Sequence, residues 1–217
     1  MEEVIVRQFT IPMALMDFVP VVLFIVTAVF LLRDLYHLMS KGAYALMAAG
    51  SIMISVAGSF KALWKLLYAA GICDFEVLNH LFFPMQSVGF TLLGLSLVAL
   101  LLFRQTTGRP MTMAVAAAPA VYKGTMLFVG LIVLGTAGLC GGLCGLAARL
   151  KRRKAIILFV LAFILMLSMG YLSSRDSSSA AMNWIEQSVN AAGQLCLLLG
   201  VLDLHRHGIL SLKQVRA

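Results

Sequence analysis

Residues 11–32 read IPMALMDFVPVVLFIVTAVFLL, a run of 22 residues in which Asp17 is the only ionisable side chain. A helix of this length rises about 33 Å, which matches the roughly 30 Å hydrocarbon core of a bilayer. The run therefore predicts a membrane-crossing helix. The chain begins Met1, Glu2, Glu3, and no small-residue cleavage motif follows the run. We therefore expect a retained span rather than a cleaved signal peptide.

The composition of the whole chain agrees with a membrane-embedded fold. Hydrophobic residues make up 61% of the 217 residues and charged residues only 12%, against roughly 25% charged in a typical soluble domain. The mean hydropathy is +0.97, so lipid must be the solvent of most of the chain. The sequence predicts an all-α, polytopic transmembrane helix bundle that forms a single domain over 1–217 in the plasma (inner) membrane.

The net charge of +8 arises from 17 Lys and Arg against nine Asp and Glu. The chain contains no basic stripe with interleaved aromatic residues, so we expect no nucleic-acid partner. In a membrane protein such an excess is typical of cytoplasmic loops beside anionic lipid. The four cysteines form no CxxC pair and no histidine lies at metal-ligand spacing, so neither a disulfide scaffold nor a metal site is expected.

Long apolar runs set the number of predicted spans. Six runs of 18 or more residues lie at 11–32, 43–70, 77–103, 124–148, 155–172 and 181–204. A shorter apolar segment, 110–122, would form a helix of only about 20 Å. By its length alone, this segment is interfacial or re-entrant rather than membrane-crossing.

The positions of the basic residues favour a crossing at 110–122. Residues 33–41 carry Arg33, His37 and Lys41, whereas residues 71–76 carry two acidic residues and no Lys or Arg. This asymmetry places the N-terminus outside. The basic run 149–154 then lies in the cytoplasm only if 110–122 crosses the membrane. The sequence therefore predicts seven spans with a cytoplasmic C-terminus; the alternative is six spans with an interfacial 110–122.

Seven spans divide into three, one and three, and the two triplets would then be parallel. An offset of 104 residues sets 77–100 on 181–204, aligns Gly89 with Gly193 and sets Gln86 against Asn190. Parallel halves related by an axis along the membrane normal are one way to build a transporter around a central site.

This three-plus-one-plus-three plan resembles the SWEET sugar carriers and a class of vitamin-precursor carriers. The resemblance is one of architecture and implies no family. The Pro-Gln dipeptide typical of the sugar carriers is absent, since this chain has Pro84, Met85, Gln86 in the third span rather than in the first span of a triplet.

Polar side chains inside the predicted spans gather in the outer half of the bundle. The seventh span carries five amide or carboxyl residues at three- and four-residue steps, which puts them on one helix face. Such groups are costly in lipid unless they face a bundle interior or an aqueous cavity. The predicted substrate-binding residues are Asp17, Lys61, Lys65, Gln86, Glu186, Asn190 and Gln194.

Several of these residues also have a simpler interpretation. Lys61 and Lys65 would snorkel to lipid headgroups if they lie near a helix end, and Asp17 would satisfy a neighbouring helix near Pro20. At the other end of the seventh span, Asp203 and His205 are expected to mark only its return to water.

The fifth span is rich in glycine, with six glycines between positions 130 and 145. A smooth helix face of this kind allows another helix to approach closely, either within the fold or across a homodimer. The sequence therefore predicts close helix packing at this span.

The predicted function is transport. No GxSxG, HExxH or phosphate-binding loop is found, so we expect no enzymatic activity and no cofactor. The leading hypothesis is a small-solute transporter or channel with an outward-opening polar cavity between spans one, two, three and seven. The expected partners are the lipid bilayer and an unknown small polar ligand. One alternative is a ligand-sensing or partner-binding receptor subunit without an output domain; another is a structural subunit.

Overall fold

The computed structural model describes residues 10–102, 125–172 and 180–209, of which 89% are helical and none is in a strand. The predicted all-α class is confirmed. The eight helices of the described residues are α1 (Ile11–Met16), α2 (Phe18–Leu35), α3 (Lys41–Ala70), α4 (Glu76–His80), α5 (Phe82–Leu102), α6 (Thr125–Arg149), α7 (Arg153–Leu172) and α8 (Ala180–Arg206).

Five helical segments are long and apolar enough to cross a membrane. They are Ile11–Leu35, Lys41–Ala70, Glu76–Leu102, Met126–Arg149 and Ala181–Arg206. These segments coincide with predicted spans one, two, three, five and seven. Helix α7 covers the predicted span 155–172 but is not among the five, and the predicted span 110–122 lies outside the described residues. The structure is therefore compatible with a multi-pass membrane protein, and the count of seven stays a prediction.

The first span is interrupted at Asp17, which separates α1 from α2. Asp17 keeps a right-handed helical backbone with φ −62° and ψ −21°. Pro20 lies three residues further on and has no N–H to donate to the carbonyl of Met16. The break in the hydrogen-bond ladder therefore falls beside Asp17, the one ionisable residue of 11–32.

Helix α3 has defined stops at both ends. Ser40 precedes it, and the Ser40 hydroxyl accepts a hydrogen bond from the backbone N–H of Ala43 at 3.3 Å. Gly71 ends it with φ 72°, a left-handed conformation that glycine adopts without strain. The long second span therefore begins and ends at residues suited to helix caps.

The six long helices pack in chain order around a closed ring. Each of α2, α3, α5, α6, α7 and α8 packs against the next, and α8 returns to pack against α2. Ring order places α5 opposite α8. Buried leucines fill the space between the helices over part of the ring, and Leu93, Leu97, Leu139, Leu143 and Leu197 are fully buried.

Contacts between α5 and α6 show that these two helices run in the same direction. Gly135 packs against the backbone of Phe90, and Gly145 packs against the side chain of Leu101. Residue numbers therefore rise together along both helices. Near the end of α6, Arg149 also donates a hydrogen bond to the Leu101 carbonyl at 3.1 Å.

Helices α2 and α8 are also parallel. Asp34, near the end of α2, contacts His205 near the end of α8, while Asp17 and Glu186, near their beginnings, line one cavity. The other neighbours in the ring are antiparallel. Helices α2, α5, α6 and α8 therefore all begin at one end of the bundle, here called the Asp17 end, and finish at the Asp34 end.

The glycines of α6 are used mainly within the fold. A Cβ at Gly142 would lie 2.6 Å from the Cβ of Leu97 on α5, and the glycines at 135, 138 and 145 also face α5. By contrast, a Cβ at Gly130 or Gly141 would meet nothing within 4 Å. Close packing at this helix occurs between α5 and α6, and a homodimer through the same helix stays a prediction.

Candidate functional site

The helix ring encloses a cavity of about 370 Å³ toward the Asp17 end. This volume lies within the range of small-ligand sites. All six long helices line the cavity. Besides the four helices predicted from the sequence, α6 contributes Met126, Val129 and Ile132, and α7 contributes Met166 and Leu167. Apolar residues of α6 and α7 gave no polar signal in the sequence, which is why they were not predicted.

The structure brings all seven predicted binding residues to this one cavity. They come from four separate helical segments and are Asp17, Lys61, Lys65, Gln86, Glu186, Asn190 and Gln194. Gln86 on α5 and Asn190 on α8 lie on helices that face each other across the ring. Their role in substrate binding stays a prediction.

The polar stripe of α8 is buried against the cavity. Glu186, Gln187 and Gln194 are only 9%, 4% and 7% exposed. Within the described residues, no hydrogen bond reaches Oε1 of Glu186, Oε1 of Gln194, or either polar atom of the Gln187 amide. A buried polar group without a partner costs about 1–3 kcal/mol. Glu186, Gln187 and Gln194 also line the cavity, so rotation of these side chains would bring the atoms to water or to a ligand there.

Lys65 and Asp17 form an ion pair with 2.8 Å between Nζ and Oδ2, and their side chains are 9% and 14% exposed. The pair joins the break between α1 and α2 to helix α3. Lys65 is buried in this pair, which favours the cavity over the snorkelling interpretation for this residue. Asp17 satisfies a neighbouring helix, as one interpretation of the sequence held, while it also lines the cavity.

Lys61 lies one turn before Lys65 and has a different environment. Its Nζ is 4.2 Å from the centre of the Phe82 ring and 6.0 Å from that of Phe83, a distance at which the ring face attracts a cation. Lys61 makes no ion pair with a carboxylate of the described segments, and neither does Glu186 with a cation. The aromatic contact was not predicted, because hydropathy does not show which helices adjoin.

A second polar cluster lies at the Asp34 end. Asp34 is 2% exposed, and its Oδ2 is 2.8 Å from Nδ1 of His205. Arg152 donates two hydrogen bonds to Asp203, at 3.1 and 2.8 Å, and this bonding raises the pKa of Arg152 above its ordinary value. Asp203 and His205 therefore do more than mark the return to water: they connect α8 to α2 and to the turn before α7.

Metal-binding groups are not brought together in the described part of the chain. No cluster of three or more His, Cys, Asp or Glu side chains there could hold a metal ion. The four cysteines, at 73, 140, 144 and 196, are free.

Comparison with known proteins gives no relative. No protein-family model, no curated protein and no solved structure matches the chain.

Proposed function

We propose that the protein is a small-solute carrier or channel of the plasma membrane, in which two parallel halves enclose the cavity. The observation that carries the proposal is that three residues with buried, unpartnered polar atoms, Glu186, Gln187 and Gln194, line a cavity at the centre of a helix ring. Polar groups at such a depth are typical of substrate pathways in membrane proteins. The halves are α1–α5 and α6–α8.

The packing of the helices supports a pseudo-two-fold relation between these halves. Within each half, the middle helix is antiparallel to both of its neighbours. Between the halves, the third helix of one half packs parallel to the first helix of the other, and this happens twice, at α5–α6 and at α8–α2. A two-fold axis along the bundle would exchange these two interfaces.

Equivalent residues make equivalent contacts within the halves. Gly89 packs against Gly50 and Ile54 on the middle helix α3, and Gly193 packs against Leu165 on the middle helix α7. Gly193 follows Gly89 by 104 residues, the offset that also relates Gln86 to Asn190. Each of these glycines therefore contacts the middle helix of its own half, which supports the sequence repeat.

At the two interfaces between halves, the residues of the third helices are related by the same offset of 104 residues. His205 follows Leu101 by 104 residues; Leu101 contacts Arg149 of α6, and His205 contacts Asp34 of α2. Arg149 follows Asp34 by 115 residues. The first helices of the two halves, α2 and α6, are thus related by a different offset, of 115 residues.

A neighbouring pair of contacts repeats this relation. The Phe30 ring packs on His205 with 5.1 Å between ring centres, and Gly145 packs against Leu101. Gly145 also follows Phe30 by 115 residues. Phe30 and Gly145 lie one turn before Asp34 and Arg149 on their helices, so this pair of contacts extends the same register by one helical turn.

The parallel direction of α5 and α6 bears on the number of spans. If both helices cross the membrane in the same direction, the chain between them must return across it. The predicted span 110–122, which lies outside the described residues, would make that return. Seven spans and an extracellular Asp17 end are therefore part of the proposal.

A ligand-sensing receptor subunit is the second candidate. Such a protein would use the same cavity, and the turn between α6 and α7 would contact a cytoplasmic partner. Lys151, Arg153 and Lys154 at this turn are exposed, which is the observation that favours this candidate.

Sided thiol labelling in proteoliposomes tests the proposal without knowledge of the ligand. In a background that lacks the four native cysteines, Gln86→Cys and Asn190→Cys are exposed to a membrane-impermeant thiol reagent from each side. A carrier or channel admits water to its site from both sides, so we expect labelling of both variants from both sides.

Leu195→Cys serves as the matched control, because Leu195 lies on α8 near Asn190, is 45% exposed and does not line the cavity. We expect no labelling of this lipid-facing position by the same reagent. Labelling of the cavity positions from the Asp17 end alone would favour the receptor. Absence of labelling from both sides would favour a structural subunit.

A further inference from the structure

We infer that the cavity binds a small zwitterion with an apolar side group, of the type of an apolar α-amino acid, with its carboxylate at Lys61 and its ammonium at Glu186. The inference names the ligand class of the proposed carrier and rests on that proposal only in treating the cavity as a ligand site.

Four ionisable side chains line the cavity, two lysines and two carboxylic acids, so their formal charges sum to zero. Asp17 and Lys65 already form an ion pair, with 2.8 Å between Nζ and Oδ2. Lys61 and Glu186 are the remaining opposite charges, and among the described residues neither forms an ion pair. The cavity therefore holds a separated pair of charges that a ligand could bridge.

Each of these charges is held at the cavity. Glu186 is buried at 9% exposure, and its Oε1 accepts no hydrogen bond from the part of the chain that the structure describes. The Phe82 ring lies against the ammonium group of Lys61 at 4.2 Å. A charge in such surroundings is stabilised by an opposite charge within a few ångströms.

The charge of the ligand decides how many of these groups it can satisfy. An anion would pair with Lys61 and leave Glu186 alone, while a cation would do the reverse. A zwitterion pairs with both groups and adds no net charge to a cavity that is already neutral. Charge complementarity therefore selects a zwitterion over either simple ion.

Apolar side chains form most of the remaining cavity wall beside the amides of α5 and α8, and they favour an apolar group. Phe24, Ile54, Phe90 and Met166 line the cavity beyond the charged residues, and a volume of about 370 Å³ limits the ligand to a small molecule. Gln194, which also lines the cavity, lies about 12 Å along α8 from Glu186, so the cavity extends well beyond the charged residues. A ligand with its charged groups at Lys61 and Glu186 would therefore extend its side group into this apolar region.

A binding panel with matched carbon skeletons tests the inference. The full chain is purified into phosphatidylglycerol nanodiscs, and the affinities of leucine, isoamylamine and isocaproate are measured by calorimetry. The amine lacks the carboxylate, and the acid lacks the ammonium. We expect leucine to bind about 10- to 100-fold more tightly than either analogue, because each lacks one charge-assisted contact. The same order is expected for phenylalanine, phenethylamine and hydrocinnamate.

Two variants separate the roles of the charged residues. In Lys61→Met, leucine affinity should fall to that of isoamylamine, while isoamylamine binding should not change. In Glu186→Gln, leucine affinity should fall to that of isocaproate. A general loss of packing would weaken the binding of leucine and of both analogues in each variant, and so would not produce this pattern. Lys151→Met and Glu76→Gln, which replace exposed residues outside the cavity, should bind leucine as the unmodified chain does.

A zwitterionic lipid headgroup has the same chemistry as a free zwitterion, so phosphatidylethanolamine is added to the nanodiscs in a second arm. Weaker leucine binding in its presence identifies the headgroup as a competing ligand, and unchanged binding identifies a free solute. The inference is overturned if a single-charge analogue binds as tightly as its amino acid. It is also overturned if the folded chain binds neither an amino acid nor the zwitterionic headgroup. Either result would leave two-sided labelling of Asn190→Cys, and thus the carrier proposal, intact.

Discussion

The ion pair between Asp17 and Lys65 should be the most costly residue-level interaction of the cavity to break, because both side chains are largely buried. In Lys65→Met, Asp17 is left without this partner. We expect the free energy of unfolding to fall by about 3 kcal/mol. Unfolding in detergent, followed by circular dichroism, measures the change.

A double variant distinguishes the ion pair from packing. Asp17→Asn combined with Lys65→Met removes both charges, so it should recover most of the stability that Lys65→Met loses. Lys41→Met replaces an exposed lysine of the same helix and should leave stability nearly unchanged. A double variant no more stable than Lys65→Met would contradict an electrostatic role for the pair.

Arg152 and Arg153 are adjacent, but only one of them should contribute to stability. Arg152 donates two hydrogen bonds to Asp203, whereas Arg153 is exposed. We therefore expect Arg152→Gln to lower the melting temperature of the inserted protein and Arg153→Gln to leave it unchanged. Equal melting temperatures for the two variants would show that the Asp203 contact does not stabilise the turn.

The sequence predicted which residues are polar at a given depth, but not which of them form pairs. Asp17 and Lys65 could both be assigned to the cavity from their places in apolar runs. Their direct contact depends on the rotation of α2 against α3, which hydropathy does not determine. For the same reason, the sequence did not predict that the buried Asp34 meets His205, 171 residues further along the chain.

At the scale of helices, the glycines of α6 predict opposite effects of one substitution at two positions. A Cβ at Gly135 would overlap the backbone of Phe90, while a Cβ at Gly141 would meet nothing within 4 Å. Gly135→Ala should therefore lower the free energy of unfolding by about 1–3 kcal/mol. Gly141→Ala should raise it by about 0.5 kcal/mol, since alanine favours the helix.

Unfolding of both variants under one set of detergent conditions compares the two changes directly. Gly130→Ala provides a second control, because its Cβ also has open space. Equal stability of Gly135→Ala and Gly141→Ala would contradict the close approach of α5 to α6. The glycine spacing predicted close packing at this helix. It could not identify α5 as the partner, because small residues accept any neighbouring helix.

At the scale of the molecule, apolar length was the most reliable signal. Five predicted spans correspond to helices long and apolar enough to cross a membrane, since burial in lipid requires a continuous apolar run. The order of the helices around the ring was harder to predict from the sequence, because it depends on contacts between helices far apart in the chain. The 104-residue offset pointed to α5 and α8 as equivalent helices. The parallel contacts of α5 with α6 and of α2 with α8 are those that the proposed two-fold relation between the halves requires.

Membrane sidedness provides the last prediction. Lys41 follows the end of α2, and Lys151 follows the end of α6, so the parallel helices bring both to the Asp34 end. The basic turn near Lys151 favours the cytoplasm for that end. Single cysteines at 41 and 151, in a background without native cysteines, should therefore react with an impermeant reagent only from the cytoplasmic side.

Cysteines at 123 and 178, positions outside the described residues, complete this labelling experiment. The charge distribution predicts that both are extracellular, so they should react only from the opposite side. Reaction of positions 41 and 151 from opposite sides of the membrane would contradict the parallel arrangement of α2 and α6. Reaction of both from outside would retain the helix ring and invert its orientation. The cavity would then begin at the cytoplasmic side, and a carrier with this fold would first meet its solute there.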